Sequence, residues 1–225
     1  NQWMPGAGQF SPNDFTGSIQ SMESLFGPAV PANSANLELA GASLANLTTF
    51  AIDYLAIDPL VLDLNGDGVQ LTSYADAPVL FDIDHDGGTK EVTGWVSAQD
   101  GILVMPGTNN IVDDISETFS EYFGGAVGTG GNAGTKPHAN GFAALKSLDS
   151  NSDNQFTSAD TAFSNVKVWV DANHDGKTDA GELKTLAELG ITSISLASAN
   201  QSGLVNGGNE ILASGTFVQN GVTKE

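Results

Sequence analysis

The most informative stretch of the chain is Asp171-Ala-Asn-His-Asp-Gly-Lys-Thr-Asp-Ala-Gly-Glu182. It has the spacing of a twelve-residue EF-hand loop, in which oxygen ligands occupy alternate positions, a glycine makes the sharp turn at position six and a glutamate closes the calcium site at position twelve. The predicted calcium ligands are Asp171, Asn173, Asp175, the Lys177 carbonyl, Asp179 and Glu182. We also predict a helix over 180–189, directly after the loop.

Residues 149–160 repeat this pattern after a predicted helix at 141–148. Asn154 replaces the turn glycine, a position that asparagine tolerates because it enters left-handed backbone conformations more readily than most residues. Because residues 161–170 are too few for two ordinary helices between the loops, we expect structural calcium sites and not a sensor pair. The predicted ligands in this loop are Asp149, Asn151, Asp153, Gln155 and Asp160.

Two further stretches, 63–68 and 82–87, hold the first half of the same loop pattern and lack an acid at position twelve. Each follows a predicted strand. We predict that both bind calcium with ligands completed from elsewhere, and Asp100 or the other loop are the candidates. The predicted ligands within the two stretches are Asp63, Asn65, Asp67, Asp82, Asp84 and Asp86.

The charge balance also points to cations. The chain has 27 acidic residues against seven lysines and no arginine, for a formal net charge of −20 at pH 7. This excess would destabilise a compact fold unless cations neutralise it, and it excludes nucleic acid as a partner because nothing could neutralise the phosphates. The lack of cysteine excludes disulfides and thiol chemistry. No apolar run reaches the roughly 18–20 residues of a membrane span.

Outside the loops, short β-type segments alternate with helical ones, so we predict an α+β fold rich in calcium loops. Residues 1–58 form a predicted N-terminal arm, and 59–225 form the calcium-binding module. Asn220-Gly221 signals a hairpin turn whose second strand is missing, so we expect a chain cut short within its fold. The predicted strands are 60–64, 79–83, 102–105, 166–170, 191–196 and 210–218, and the predicted helices are 33–55, 115–123, 141–148 and 180–189.

The dipeptide Asp58-Pro59 carries chemistry of its own. The Asp58 carboxylate can attack its own backbone carbonyl carbon in a five-membered ring, which would expel the Pro59 nitrogen and leave a cyclic aspartyl anhydride. Proline favours this reaction because its tertiary amide has a weakened trans preference and because it has no N–H to form the competing succinimide. Judged on the dipeptide alone, an ordinary boundary between a helix and the first strand is the favoured interpretation.

A longer series of motifs sets this dipeptide in context. The order of motifs over residues 58 to about 220 resembles the self-processing module of RTX proteins, of the FrpC type. That resemblance implies calcium-induced autocatalytic cleavage of the Asp58–Pro59 bond, coupling of the new terminal aspartate to a lysine amine of another protein, and type I export of the parent protein. The motifs are Asp58-Pro-Leu-Val-Leu-Asp-Leu-Asn-Gly-Asp-Gly68, 80–87, 93–104, 142–149, 168–171 and 182–191.

The expected function is therefore a single-turnover, calcium-dependent self-cleavage in a secreted, extracellular protein. Asp58 is the expected nucleophile and scissile residue, and Pro59 is the leaving group. The sequence does not identify the acid that protonates the Pro59 nitrogen; His85, His138 and His174 are candidates by residue type alone. The alternative is a structural calcium-binding module of a large secreted RTX adhesin or toxin, with the bond left uncut.

Overall fold

The computed structural model describes residues 58–73, 75–88 and 90–225. These residues form fourteen short strands, one α-helix, α1 (Gly141–Lys146), and one 3-10 turn at Ile115–Glu117. The strands are β1 (Val61–Leu62), β2 (Leu71–Thr72), β3 (Val79–Phe81), β4 (Glu91–Thr93), β5 (Trp95–Val96), β6 (Gly101–Val104), β7 (Gln155–Thr157), β8 (Lys167–Trp169), β9 (Leu183–Thr185), β10 (Ile191–Ser195), β11 (Ala199–Asn206), β12 (Asn209–Ser214), β13 (Phe217–Gln219) and β14 (Val222–Lys224).

The strands pair into two four-stranded antiparallel sheets and three two-stranded sheets. The first sheet has the order β1-β6-β8-β9, and the second has the order β14-β13-β10-β7. β6 is buried along its whole length. It packs closely on β8, since a Cβ at Gly101 would lie 2.2 Å from Val168 Cγ1. The remaining pairs are β2–β5, β3–β4 and β11–β12.

Two apolar clusters form the core. One surrounds Leu103, Phe119 and Phe156, which are fully buried. The other is built on an aromatic trio, in which Trp95 and Trp169 pack edge to face with ring centroids 5.4 Å apart and Phe81 lies 5.2 Å from Trp95. Both tryptophans are buried. Offset and edge-to-face contacts of this kind are favourable because of the ring quadrupole.

The prediction of an α+β fold is wrong, because the described chain is a set of antiparallel sheets with a single six-residue α-helix. Of the predicted helices, 115–123 is reduced to a 3-10 turn, and 141–148 survives as α1. The segment 180–189 instead forms β9, which pairs with β8. Its apolar residues at spacings of three mimic a helix, but the loop that precedes it turns the chain back beside β8, where sheet pairing satisfies the backbone. The predicted helix 33–55 lies outside the described residues.

All six predicted strands are present. Four of them are shorter than predicted, 102–105 is shifted by one residue to Gly101–Val104, and 210–218 is divided between β12 and β13. The prediction that the Asn220-Gly221 hairpin lacks its second strand is wrong, since β14 pairs with β13 in register. Both turn residues have positive φ, 51° at Asn220 and 78° at Gly221, as a type I′ hairpin turn requires. None of the helices in the described part of the chain is long and apolar enough to cross a bilayer.

Candidate functional site

In the loop 171–182, the first and the last acid both accept hydrogen bonds from backbone and indole N–H groups. Asp171 is fully buried, and its Oδ2 accepts hydrogen bonds from the Gly176 backbone N–H and the Trp95 indole, both at 2.8 Å. Glu182 Oε1 accepts the Ala172 N–H at 2.9 Å, and its Oε2 accepts the Trp169 indole at 3.2 Å. The loop runs from β8 to β9, so its EF-hand spacing is held between two strands and not between two helices.

Gly176 is the turn residue of this loop. Its φ is +68°, and a Cβ there would lie 2.2 Å from Val79 Cγ1. Both the backbone conformation and the close approach to β3 therefore require glycine. The loop is thus packed against the β3–β4 pair, whose two strands are connected by the acidic stretch 82–87.

In the loop 149–160, the closing aspartate is surrounded by donors. Asp160 Oδ1 accepts the Ser150 N–H at 2.8 Å, and Oδ2 accepts the Thr157 N–H at 2.9 Å. Burial would raise the pKa of Asp160, but these backbone hydrogen bonds prevail and lower it. Asn154 adopts a φ of +63° at the turn position, which confirms that asparagine substitutes for glycine there. The segment 155–157 is β7, paired with β10.

Asp100, a candidate for the missing ligand, lies close enough to the stretch 63–68 to feel the charge of Asp63. Asp63 accepts the backbone N–H groups of Gly66 and Gly68 at 2.7 and 2.9 Å. Asp100 is fully buried, with Oδ2 accepting the Gln70 N–H at 2.8 Å, while its Oδ1 has no hydrogen-bond partner among the described residues. Burial, with a smaller contribution from the Asp63 charge, raises the pKa of Asp100. A cation would satisfy that buried oxygen.

The stretch 82–87 lies beside an acid that sequence reasoning missed. One carboxylate oxygen each from Asp82, Asp84 and Glu91 lie within 4.8 Å of one another. Asp82 is buried, and its Oδ1 has no partner within the described chain. Glu91 arrives from β4, where it pairs with Phe81 of β3. Burial and then the charge of Asp114 raise the pKa of Asp82. This donor set of hard oxygens fits calcium better than a softer metal.

Asp86, the third acid predicted as a ligand in this stretch, does not join that cluster. Its Oδ1 accepts the Gly88 N–H at 2.7 Å. The remaining predicted ligands lie in their loops, with side chains that bond mainly to neighbours in the same loop. They are Asn65, Asp67, Asp149, Asn151, Asp153, Asn173, Asp175 and Asp179. Gln155 and Lys177 also lie in their loops, where their backbone N–H groups bond to Asp153 and Asp175.

The scissile dipeptide predicted from sequence lies immediately before β1. Leu60 is held on both sides, since its N–H donates to the Phe119 carbonyl at 2.9 Å and its carbonyl accepts the Leu103 N–H at 2.8 Å. The Asp58 side chain accepts the Gly141 N–H on Oδ2 at 3.2 Å. Its backbone N–H donates to Glu121 Oε2 at 3.3 Å. Pro59 is therefore flanked by two residues tied to the segment 119–121.

A second carboxyl group faces Asp58. Glu121 is buried, at 8% exposure, and its Oε1 forms an ion pair with Lys136 Nζ at 3.2 Å. Burial, followed by the hydrogen bond and the charge of Glu121, raises the pKa of Asp58 to about 8. For Glu121, burial acts to raise the pKa, but the hydrogen bond from Asp58 and the ion pair with Lys136 lower it. The two carboxyl groups therefore differ, with the pKa of Asp58 raised and the pKa of Glu121 lowered.

Gly141 allows the close approach that this site needs. A Cβ at Gly141 would lie 2.4 Å from the Phe119 carbonyl oxygen and 2.9 Å from the Asp58 carbonyl oxygen. Only a residue without a side chain fits between these two backbone groups. Gly141 begins α1, and the preceding Asn140 caps the helix by accepting the Ala143 N–H at 2.8 Å.

Sequence reasoning missed Glu121, Lys136 and Gly141, because none stands at a fixed spacing from Asp58. The histidines that it considered have other contacts. His85 pairs with Asp114 at 3.1 Å, and His174 Nε2 lies 3.3 Å from Thr72 Oγ1. His138 stacks its ring near Phe123, with centroids 6.0 Å apart.

The comparison with known proteins assigns the family. The profile of the SPM domain matches residues 60–225. The chain belongs to the SPM domain family. This SPM chain is also 40% identical over 168 residues to the iron-regulated protein FrpA of Neisseria meningitidis serogroup C, in an alignment that covers 74% of this chain and 14% of FrpA. The predicted relationship to the Frp proteins is therefore confirmed, and the SPM match begins directly after Asp58-Pro59.

Proposed function

We propose that this SPM chain cuts its own Asp58–Pro59 bond once calcium has ordered the module, and that the products are 1–58 and 59–225. The observation that carries the proposal is the position of Asp58: its carboxyl group is buried against Glu121, held by the Gly141 N–H, and directly precedes a proline. A buried aspartate with a strongly raised pKa is a candidate for acid–base or nucleophilic chemistry.

The proposed step is an intramolecular displacement. A side-chain oxygen of Asp58 attacks the Asp58 carbonyl carbon, the bond to the Pro59 nitrogen breaks, and that nitrogen takes up the carboxyl proton and leaves as a neutral secondary amine. The Asp58 end is left as a cyclic anhydride, which water opens to a free aspartate. The contacts at Leu60 and Gly141 orient the two sides of the bond, and such orientation supplies up to roughly 7–11 kcal/mol of a barrier.

Calcium, when bound, neutralises the acidic loops and links strands that otherwise repel each other. The residues proposed to hold it are the loop acids, with Asp100 and Glu91 as additional ligands. Asp171 accepts the Trp95 indole and Glu182 accepts the Trp169 indole, so the ordering of this loop is coupled to the aromatic core. Metal that binds only the folded chain adds its binding free energy to folding.

We further propose that the parent protein is an RTX protein exported by a type I system and that the anhydride can also be opened by a lysine amine of another protein. High extracellular calcium and a Cys-free chain suit this route. The same anhydride serves both outcomes, so water and an amine compete for the Asp58 carbonyl carbon.

Mass spectrometry of the full chain before and after millimolar calcium tests the proposal. Expected are two fragments, the second beginning at Pro59, and in the presence of a primary amine a fraction of the first fragment carries that amine at Asp58. A chain that folds with calcium and keeps its full mass would instead establish the structural calcium-binding module as its function. Cleavage without amine incorporation would mean that water attacks directly.

A further inference from the structure

We infer that Glu121 is a catalytic residue of the cleavage proposed above, which moves one proton from the Asp58 carboxyl group to the nitrogen of Pro59. The inference rests on that proposed function. Glu121 lies 63 residues from Asp58 in the sequence, and it touches the scissile residue at its backbone N–H through Oε2, 3.3 Å away. It also faces the attacking carboxyl group, so it contacts the reacting residue at two points.

The chemistry of the bond requires such a group. The Asp58 carboxyl is a good nucleophile only when it is ionised, and the Pro59 nitrogen is a good leaving group only when it is protonated. In the resting pair the proton lies on Asp58 and the charge on Glu121. Glu121 therefore accepts the proton as Asp58 attacks, and gives the same proton to nitrogen as the carbon–nitrogen bond breaks. The pair ends with Glu121 ionised again, and no other proton donor is consumed.

The groups around Glu121 support this assignment. Lys136 Nζ forms the ion pair with Oε1 and lies 4.7 Å from the centroid of the Tyr122 ring, so it holds Glu121 ionised and ready to accept a proton. The buried Asp58 Oδ1 has no hydrogen-bond partner among the described residues when both carboxyls are ionised, and a shared proton gives it one. Tyr122 and His138 are the other titratable neighbours; Tyr122 has a raised pKa because it is buried, and the His138 ring packs near Phe123.

Glu121→Gln is the direct test, because glutamine keeps the shape of glutamate and one of its two acceptor oxygens but cannot relay a proton. At saturating calcium we expect cleavage to slow by about 10²- to 10⁴-fold, the usual contribution of acid–base catalysis, with an unchanged circular dichroism spectrum. A folded Glu121→Gln variant that cuts within about threefold of the wild-type rate overturns the inference and leaves self-cleavage standing. If the wild-type chain itself stays uncut, the proposed function fails instead.

The pH dependence of the cleavage rate distinguishes a proton-relay role of Glu121 from a purely structural role. The wild-type rate should fall above pH about 8, where the shared proton is lost, and at low pH, where Glu121 also becomes protonated. Lys136→Met removes the ammonium group that lowers the pKa of Glu121, so the whole profile should move to higher pH. If the Lys136→Met profile lies at the wild-type position with only a reduced rate, Glu121 acts through structure and the inference is wrong. This measurement holds even if Glu121→Gln fails to fold.

Discussion

Asp58 and Asp160 are both withdrawn from solvent, and their pKa values move in opposite directions. Asp160 accepts backbone N–H groups on both oxygens, and these lower its pKa against the effect of burial. Asp58 accepts a single backbone N–H and faces Glu121, and its pKa rises to about 8. The same residue type thus suits the proposed cation ligand in one region and the proposed proton carrier in the other, according to the donors around it.

The two regions also differ in the distance along the chain over which they are assembled. Asp160 is held by Ser150 and Thr157 of its own loop, so local sequence is sufficient to build the site. Asp58 meets Glu121 and Gly141 only because β1, the segment 119–121 and α1 pack together. The region around Asp58 therefore depends on the whole fold, and we expect calcium to stabilise the loops of that fold.

The largest effect is expected from Asp58→Ala, which changes the region around the scissile bond and leaves the loop around Asp160 intact. This change removes the nucleophile and leaves every loop donor in place. Cleavage should be abolished. Calcium affinity, measured by calorimetry, should stay within about twofold of the affinity of the Pro59→Ala variant, which serves as the reference because its secondary amide is a poor leaving group and the chain is cut slowly. Residual cutting at the same bond in Asp58→Ala would mean that another group attacks it.

Next in size is Glu182→Ala, which acts from the loop side. It removes acceptors for Ala172, Asp179 and Trp169, so calcium affinity should fall by at least about tenfold, the loss found even for outer-shell partners. Cleavage at millimolar calcium should slow and recover as calcium is raised. Glu210→Ala is the matched control, since Glu210 is an exposed acid on β12. Equal cleavage rates in Glu182→Ala and Glu210→Ala would show that the loop 171–182 has no part in the cleavage.

A smaller loss is expected from Glu91→Gln, which tests the ligand supplied by β4. Only one of three clustered carboxylates changes, and ligand charge count tunes calcium affinity. We expect about a two- to tenfold weaker site in a calcium titration, again relative to Glu210→Ala. Calcium binding with the stoichiometry and affinity of the parent chain would show that Asp82 and Asp84 act without Glu91.

The smallest effect concerns stability and pH. Folding raises the pKa of Asp58 from 3.8 to about 8, so its contribution to stability is fully present below pH about 4 and is lost as the pH rises through about 8. In the slowly cleaving Pro59→Ala background, adding Asp58→Ala should therefore increase Tm more at pH 9 than at pH 5. The difference should be on the order of 1 kcal/mol, or about 2–4 °C. Equal increments at both pH values would contradict a protonated Asp58.

Much of the strand pattern could be predicted because alternating apolar runs report directly on burial. The helix at 180–189 could not, since Leu183, Leu186 and Leu189 have a helical spacing yet lie in β9 and the turn after it. Pairing with β8 outweighs this local preference, because each backbone group in the sheet gains a partner that the isolated segment cannot supply.

The acidic loops, their turn residues Gly176 and Asn154, and the Asp58-Pro59 dipeptide can be read from the sequence alone, because each depends on groups a few positions apart. That Glu91 joins Asp82, and that Glu121 and Gly141 meet Asp58, becomes visible only in the folded chain. These contacts cross from one strand or segment to another, and spacing along the chain carries no information about them. The raised pKa of Asp58 follows from burial and from the charge of Glu121, both of which exist only once the chain has folded.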